Sequence, residues 1–214
     1  MSGSIKLKHA SGNGVIIAAP SSNPAADRTI TLPSTADGTM LTTTNPKSGS
    51  IIQVVNTNLT GTSSVSVPDG SLADTPLTVD ITSTMANSKF IITGTLNGEG
   101  GAADHTIGII MRRVIGGSGT SINIGDTEGN RTSVSCLHSV GSYVNDNIST
   151  PATSSFSPYV DSPSQASGTT ITYKYALIGV GVAFTYFFGR PAGDSNASGY
   201  ERMPNHITVM EVAP

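Results

Sequence analysis

The sequence predicts an all-β protein in which an N-terminal extended β arm precedes a jelly-roll-like β-sandwich. Serine and threonine account for 56 of the 214 residues, and charged residues make up only 12%, a composition typical of strands whose exposed faces are rich in hydroxyl groups. Short apolar runs recur between Gly, Pro, Asn and Asp residues, as in sandwiches and barrels. No long stretch has the 3.6-residue period of a helix. A hydrophobic content of 36% with a net charge of −3 argues against intrinsic disorder.

Residues 1–44 are predicted to form an arm that attaches to, or intertwines with, other chains. Ile5 and Leu7 alternate with polar residues, and Ile30 and Leu32 repeat this alternation further along the arm. Because so few apolar residues cannot form a core alone, such strands are stable only against another chain or a larger body. Identical strands from three chains would satisfy that need, so we expect a homotrimer with these four residues at assembly contacts.

A linker is predicted at residues 45–50 and a β-sandwich domain at residues 51–214. Asn45 and Pro46 favour a turn, and the Ser-Gly-Ser sequence that follows is flexible. Leu77, Val79 and Ile81 alternate cleanly and should share one face of a strand. The predicted strands of the domain are residues 51–55, 77–81, 89–96, 106–114, 121–124, 132–140, 153–159, 170–178, 180–188 and 206–212.

One predicted strand is unusually aromatic. Phe184, Tyr186 and Phe188 should lie on one face, with Phe187 on the other. Apolar residues on both faces indicate burial on both sides. Core packing, an assembly contact at Phe187 between subunits, and a platform that stacks against sugars all remain open.

The long loop at residues 189–204 is the predicted recognition surface. It carries Asp194, Asn196, Tyr200 and Arg202, a mixture suited to hydrogen bonding and to stacking on sugar rings. The alternatives are that this loop is a solvated connector, or that recognition lies in a second, Gly-rich loop at residues 97–104.

Catalytic and metal-binding motifs are absent from the sequence. The four histidines do not have the spacing of metal ligands, and no Gly-x-Ser-x-Gly elbow occurs. Residues 116–120 are Gly-rich but lack the Lys-Ser/Thr of a phosphate-binding loop, so they predict a hairpin turn. Asp126, Glu128 and Asn130 alternate in a Gly-bounded segment and could offer oxygens to Ca2+, but the spacing of a calcium loop is missing. The alternative is a pair of tight turns in which Arg131 pairs with Asp126 or Glu128. We expect no enzyme activity, no cofactor and no metal, and a small hydrolase has no positive support.

Composition also limits the partners and the compartment. A small, dispersed net charge does not favour nucleic-acid binding. The single Cys136 allows no intrachain disulfide and is expected to be a small buried side chain. No signal peptide and no run of about 20 apolar residues is visible, so we expect a protein made in the cytoplasm without membrane insertion.

Two sets of short motifs resemble bacteriophage structural proteins. The arm contains Thr31-Leu32-Pro33, and then the residues from Asp37 to Thr43, which resemble the end of the arm in many tail-fibre and virion-fibre proteins. In the domain, phrases similar to those of marine and cyanobacterial phage structural proteins occur in order at residues 80–92, 125–131, 159–163, 169–174 and 207–213.

The resemblance implies a virion surface protein, either a tail-fibre or receptor-binding module or a capsid decoration (head-fibre) protein whose arm grips the capsid shell. Its implied partners are further copies of itself, another virion protein bound through the arm, and a host surface glycan or protein.

Overall fold

The computed structural model describes residues 4–18, 21, 46–100, 106–138 and 150–214. Within these ranges the strands pair antiparallel, apart from one isolated parallel bridge between Asp69 and Gly179, and there is no α-helix, as the sequence predicts. The chain divides into two compact units, Met1–Met40 and Leu41–Pro214. The boundaries at residues 44 and 50 stay predictions.

The first unit contains a β-hairpin. Strands β1 (Ser4–Lys8) and β2 (Gly14–Ala18) pair from Ser4 with Ala18 to Lys8 with Gly14. Its turn is closed by hydrogen bonds from His9 N to Asn13 O (2.8 Å) and from Gly12 N to His9 O (3.0 Å). Ile30 and Leu32, the other predicted assembly residues of the arm, lie outside the described residues.

The first sheet of the second unit is organised around one long strand. It contains β3 (Ile51–Leu59), β4 (Ser63–Val67), β6 (Lys89–Gly100), β10 (Ala152–Asp161), β12 (Phe184–Phe188) and β13 (Asn205–Val212). One edge of β6 pairs with β10. The other edge pairs with β13 along Lys89–Thr95 and then with β12 along Gly98–Gly100. Beyond these two, β3 pairs with β13 and β4 with β12.

The second sheet has the order β5-β11-β7-β8, with a short β9 also paired to β7. Its strands are β5 (Leu72–Thr82), β7 (Ile107–Ile115), β8 (Ser118–Ile122), β9 (Cys136–Leu137) and β11 (Thr170–Gly179). Gly116 and Gly117 form the two-residue turn between β7 and β8 with φ of 57° and 82°. Positive φ at both positions is what a tight hairpin turn of this type requires, so the predicted hairpin is confirmed.

The core lies between the two sheets, so the chain forms a β-sandwich. Leu77, Val79 and Ile81 are buried on one face of β5, as their alternation predicts. The largest fully buried side chains come from both sheets and include Tyr173, Tyr175, Tyr186, Phe90 and Phe188.

A polar cluster joins the two sheets at one end of the core. The Arg113 Nη1 group donates to both carboxylate oxygens of Asp161, at 2.7 and 2.9 Å, and the Tyr173 hydroxyl donates to Asp161 Oδ2 at 2.7 Å. Asp161 is 4% exposed. Burial and the neighbouring Asp161 carboxylate raise the pKa of Tyr173. The cluster therefore ties β10 of the first sheet to β7 and β11 of the second.

Several predicted elements differ from the observed ones. The strand predicted at residues 180–188 begins only at Phe184, and the one predicted at residues 121–124 is observed as Ser118–Ile122. Strand β4 was not predicted, because Ser63–Val67 contains only two apolar residues. Within the described part of the predicted strand at residues 132–140, only Cys136–Leu137 form a strand, held against β7 by hydrogen bonds from Ser135 N to Ile109 O and from His138 N to Ile107 O, both at 2.9 Å. Residues 97–100 of the loop predicted at residues 97–104 belong to β6, which continues to Gly100, and the remainder of that prediction lies outside the described residues.

Candidate docking surfaces

The N-terminal hairpin has one apolar face. The register places Ile5 opposite Ile17 and Leu7 opposite Val15, and these four side chains share one side of the hairpin. They are 51–67% exposed. The structure thus places the predicted assembly residues Ile5 and Leu7 side by side, with Val15 and Ile17 as their cross-strand neighbours.

The opposite face of the hairpin is cationic. Lys6 and Lys8 lie on this side, with Ile16 opposite Lys6 and Gly14 opposite Lys8. No acidic residue occurs between Ser4 and Ala18. An isolated two-stranded hairpin is at best marginally stable in water, so burial of the apolar face against a partner would stabilise it. This amphipathic hairpin is the first candidate docking surface.

The second candidate is the segment at residues 189–204, which forms a compact loop with closed ends. Gly189 N donates to Asn97 O at 2.9 Å, and Met203 N donates to Gly189 O at 3.1 Å. Such a chain with adjacent ends is an Ω-loop, a type that frequently carries function. We call it the Ω-loop below.

Buried polar side chains of β6 anchor the Ω-loop to the first sheet. Glu99 Oε2 accepts a hydrogen bond from Ala192 N at 2.6 Å, and Asn97 Nδ2 donates to Pro204 O. Asn97 N also donates to Asn205 Oδ1 at 2.6 Å. Glu99 and Asn97 are 3% and 5% exposed. Because both alternate with inward-facing residues of β6, the Ω-loop covers this end of the outer face of the sheet.

Of the four residues predicted for recognition, the structure brings two together. Arg202 Nη2 contacts Asp194 Oδ1, and Arg190 Nε lies 3.9 Å from Asp194 Oδ2. Tyr200 is half-buried and donates from its backbone N to Ala197 O, while Asn196 is exposed.

The sequence did not identify Arg190 or Glu99 as part of this arrangement. Glu99 stands among glycines that predicted a loop, so its place in a strand carried no local signal.

Phe187 lies on the outer face of β12, on the same side of the sheet as the Ω-loop. The Arg190 guanidinium carbon lies 4.3 Å from the centre of its ring, an arrangement that favours cation–π attraction. Phe184, Tyr186 and Phe188 point into the core on the other side. Contact of Phe187 with another subunit remains a prediction, and Arg190 of the same chain already covers part of its ring.

Groups capable of chemistry are buried or dispersed in the described part of the chain. His138 Nδ1 lies 3.1 Å from Ser154 Oγ, but the two residues are only 1% and 4% exposed, so neither faces solvent. Burial raises the pKa of the half-buried Cys136 to about 11, which suppresses the reactive thiolate.

Neither a metal site nor a membrane span is found among the described residues. No cluster there could hold a metal ion, and no ion pair joins Arg131 to Asp126 or Glu128. None of the described segments is a helix long and apolar enough to cross a membrane.

Comparison with known proteins finds no matching family model and no matching curated protein. Among solved structures, one titled as infectious bursal disease virus Gx strain is similar at a TM-score of 0.36 and 13% identity over 94% of this chain. The infectious bursal disease virus VP2 subviral particle is similar at a TM-score of 0.34 and 14% identity over 95% of it. The chain spans about half the length of those chains, 52% in both cases. At these TM-scores the likeness carries no argument about function, and the sandwich is assigned from its own strands.

Proposed function

We propose that this protein is a non-enzymatic structural protein of a bacteriophage virion, a tail fibre or receptor-binding module that is exposed on the particle and attaches through its N-terminal arm. The observation that carries the proposal is the apolar face of the hairpin, formed by Ile5, Leu7, Val15 and Ile17. Among the described residues of the arm these four exposed apolar side chains have no core, and docking would stabilise them by about 25 cal/mol for each Å² removed from water.

The strand pairing supports a jelly roll for the sandwich. A jelly roll is a long antiparallel hairpin of eight strands wrapped around a core, so the first strand pairs with the last and each inner pair follows. Here β3 pairs with β13, β5 with β11, β6 with β10, and β7 with β8. The additional strands β4, β9 and β12 lengthen the two sheets.

The proposed assembly is a homotrimer in which identical arms pack together or on a virion protein. A closed arrangement of three arms would bury the apolar faces of all three hairpins against one another. Sedimentation of the full chain at micromolar concentration should then give three times 21.8 kDa. A monomer at every concentration would overturn the trimer.

Two neighbouring isoleucines provide a matched test of attachment. Ile17 lies on the apolar face of the hairpin and Ile16 on the cationic face, and they are 51% and 55% exposed. We expect Ile17→Ser to reduce incorporation into particles strongly and Ile16→Ser to leave it near the wild-type level. Deletion of residues 1–44 should leave a folded domain that does not attach. Equal incorporation of the two serine variants would contradict docking through the apolar face.

The number of copies per particle separates the tail fibre from its alternative. Six to eighteen copies, on the order expected for fibres around a tail, support the tail assignment, whereas dozens to hundreds support a capsid decoration protein that grips the shell through the same arm. Quantitative gel analysis of purified particles gives this number.

A host glycan or surface protein is the proposed ligand of the Ω-loop. Its anchoring to Asn97 and Glu99 holds the backbone, while the Arg202 side chain is 54% exposed. A Tyr200→Ala/Arg202→Ala double variant should keep its melting temperature and lose adsorption to host cells. Arg131→Ala, a change at an exposed residue of another loop, is the control. Unchanged adsorption of the double variant would make the loop a connector.

A further inference from the structure

Asparagine followed by glycine is the dipeptide that most readily loses its side-chain amide without an enzyme. The glycine nitrogen attacks the side-chain carbonyl carbon, and glycine has no Cβ to hinder the approach. The sequence contains four Asn-Gly or Asp-Gly dipeptides, three of which lie among the described residues and begin at Asn13, Asp69 and Asn97. The local structure around each of these three decides whether it can react.

The dipeptide at Asp69 is held by hydrogen bonds on both of the reacting groups. Gly70 N, the nitrogen that would attack, donates to Gly179 O at 2.9 Å. Asp69 Oδ1 accepts from Gly181 N, also at 2.9 Å. Ring closure would break both bonds, so this site is protected.

The dipeptide at Asn97 is protected by burial and by strand pairing. Asn97 is 5% exposed, and its Nδ2 group donates to Pro204 O. Gly98 is paired on both edges of β6, with Ala152 on one side and Phe188 on the other. The Asn97 side chain therefore cannot turn toward Gly98 N without losing its hydrogen bond and disturbing the sheet.

Asn13 has neither form of protection within the described part of the chain. It is exposed at the end of the hairpin turn, and no hydrogen bond joins its side-chain amide to a described residue. Its backbone oxygen accepts from His9 N, so the adjacent residues Lys8 and Gly14 form a non-hydrogen-bonded pair of the ladder. The Gly14 nitrogen thus points away from the partner strand and can approach the Asn13 side chain.

The hairpin also requires glycine at position 14. A Cβ there would overlap Leu7 O and lie 2.9 Å from Leu7 C, both of them backbone atoms that cannot move aside alone. The residue that makes Asn13 reactive is therefore fixed by the pairing of β1 with β2. Lys8 and His9 line the same cleft as Asn13 and Gly14, and a cation and an imidazole beside an amide favour the loss of its proton.

We propose that Asn13 deamidates spontaneously in the folded protein. Gly14 N forms a bond to Asn13 Cγ and gives up its proton, the Cγ–Nδ2 bond breaks, and Nδ2 leaves as ammonia, so a five-membered succinimide remains. Water then adds to one of the two ring carbonyls and breaks the bond from that carbon to Gly14 N. Opening at Cγ gives aspartate, and opening at the backbone carbonyl carbon gives isoaspartate. One water is consumed and one ammonia is released, with no oxidation or reduction.

The products change both the charge and the pairing of the hairpin. Either product adds a carboxylate to a hairpin whose charged side chains are Lys6 and Lys8. In isoaspartate the main chain runs through Cγ, so an additional methylene separates the two strands, and the carbonyl that accepts from His9 N becomes part of a carboxylate. The proposal does not rest on the proposed function, because it concerns only the chemistry of this chain.

The test compares the two Asn-Gly dipeptides in the same full-length protein. The protein is incubated at mildly alkaline pH, folded in one series and unfolded in urea in the other, and is then digested with trypsin. The peptides of residues 9–27 and 90–112 carry Asn13 and Asn97, and Asn23 in the first peptide precedes Pro24, whose nitrogen has no proton to lose. Mass spectrometry gives the deamidated fraction of each peptide, and electron-transfer fragmentation identifies isoaspartate. We expect Asn13 to react at least about tenfold faster than Asn97 in the folded protein, and within about twofold of it in urea.

Each outcome supports or overturns the site. Equal rates at the two asparagines in the folded protein overturn the structural argument, and an Asn13 that reacts only in urea overturns the proposal. Asn13→Gln is the matched variant, because closure of the larger ring from glutamine is much slower and the exposed position should tolerate the change. In isoelectric focusing, the first acidic band that grows with time in the wild type should be lost in this variant. A band that forms at the wild-type rate places the deamidation elsewhere and overturns the assignment to Asn13.

Discussion

Glu211 is the residue whose replacement tests the structure of the sandwich most directly. It is fully buried in β13, and its carboxylate is an acceptor for the turn that leads from β5 into β6. Oε1 accepts from Thr84 N at 2.8 Å, Met85 N at 3.2 Å, Ser88 Oγ at 2.7 Å and Ser83 Oγ at 3.3 Å. Oε2 accepts from Thr84 Oγ1 at 2.9 Å. One side chain thus stabilises the crossing between the two sheets.

The expected cost of Glu211→Ala follows from which donors retain another partner. The hydroxyls of Ser83 and Ser88 can donate instead to Met85 O, at 2.6 and 3.1 Å, so they are not left unpaired in the variant. The amides of Thr84 and Met85 lose the carboxylate, at about 1–3 kcal/mol for each buried donor. Thr84 is exposed and can be rehydrated, and removal of a buried charge recovers part of its desolvation cost. We expect a net loss of about 3 kcal/mol in the free energy of unfolding.

Glu211→Gln should cost much less, about 1 kcal/mol, because an amide oxygen can still accept the bonds made by Oε1. The assay is urea unfolding near neutral pH for wild type, Glu211→Ala, Glu211→Gln and the exposed-loop control Glu128→Ala, which should lie within about 0.5 kcal/mol of wild type. An alanine variant within 1 kcal/mol of wild type, or a glutamine variant as unstable as alanine, would refute the reasoning.

Three further measurements test local features of the sandwich. A Cβ at Gly94 would lie 2.4 Å from His206 O, so Gly94→Ala should lower the free energy of unfolding in urea by about 2 kcal/mol or more. Gly61 has open space around it, so Gly61→Ala should leave the stability unchanged, and equal stability of the two variants would contradict this close approach. Cys136, with its pKa raised to about 11 by burial, should react slowly with a thiol reagent near pH 8 in the folded protein and rapidly in urea, and equal rates would show an accessible thiol. Burial tends to raise the pKa of Asp74, but hydrogen bonds and charge from Lys174 and Arg112 outweigh it and hold the pKa below its ordinary 3.8. The stabilising effect of the Asp74 carboxylate should therefore be fully present above pH 3.8 and decline as the pH falls through its lowered folded-state pKa. The melting temperature of Asp74→Asn should then lie below that of wild type near neutral pH and approach it in acid; a difference that stays constant would contradict this role.

The fold was predictable where the alternation of apolar and polar residues in the sequence matches the alternation of buried and exposed side chains in the strand. Leu77, Val79 and Ile81 alternate because β5 has one face toward the core and one toward solvent, and the Gly-Gly turn after β7 requires positive φ that glycine supplies. Strand β4 was missed for a physical reason. Its hydroxyl side chains give little local signal, and its strand state depends on pairing with the distant β12.

The docking surfaces were predictable only in part. The alternation of Ile5 and Leu7 indicated an unpartnered strand, but their alignment with Val15 and Ile17 depends on the hairpin register. The apolar residues on the outer face of the first sheet had a signal that went unused, since adjacent apolar residues such as Val54-Val55 and Ile91-Ile92 place one side chain on each face of a strand. The anchoring of the Ω-loop by Glu99 was not predictable, because it depends on a contact with a distant segment.

The pairing of β3 with β13 has a consequence for how the protein is made. The Asn56 side chain donates to Ile207 O, a partner 151 residues further along the chain, so a ribosome must synthesise almost all of the sandwich before its first strand finds its neighbour. Closing such distant pairs is slow, in the range of milliseconds to seconds for β-rich domains. Until then Ile51–Leu59, nine residues without a charge, a proline or a glycine, has the features of a segment that pairs with other chains. This aggregation-prone strand therefore waits until β13 has been synthesised before it can pair, and the yield of folded protein should fall as the expression rate or temperature rises.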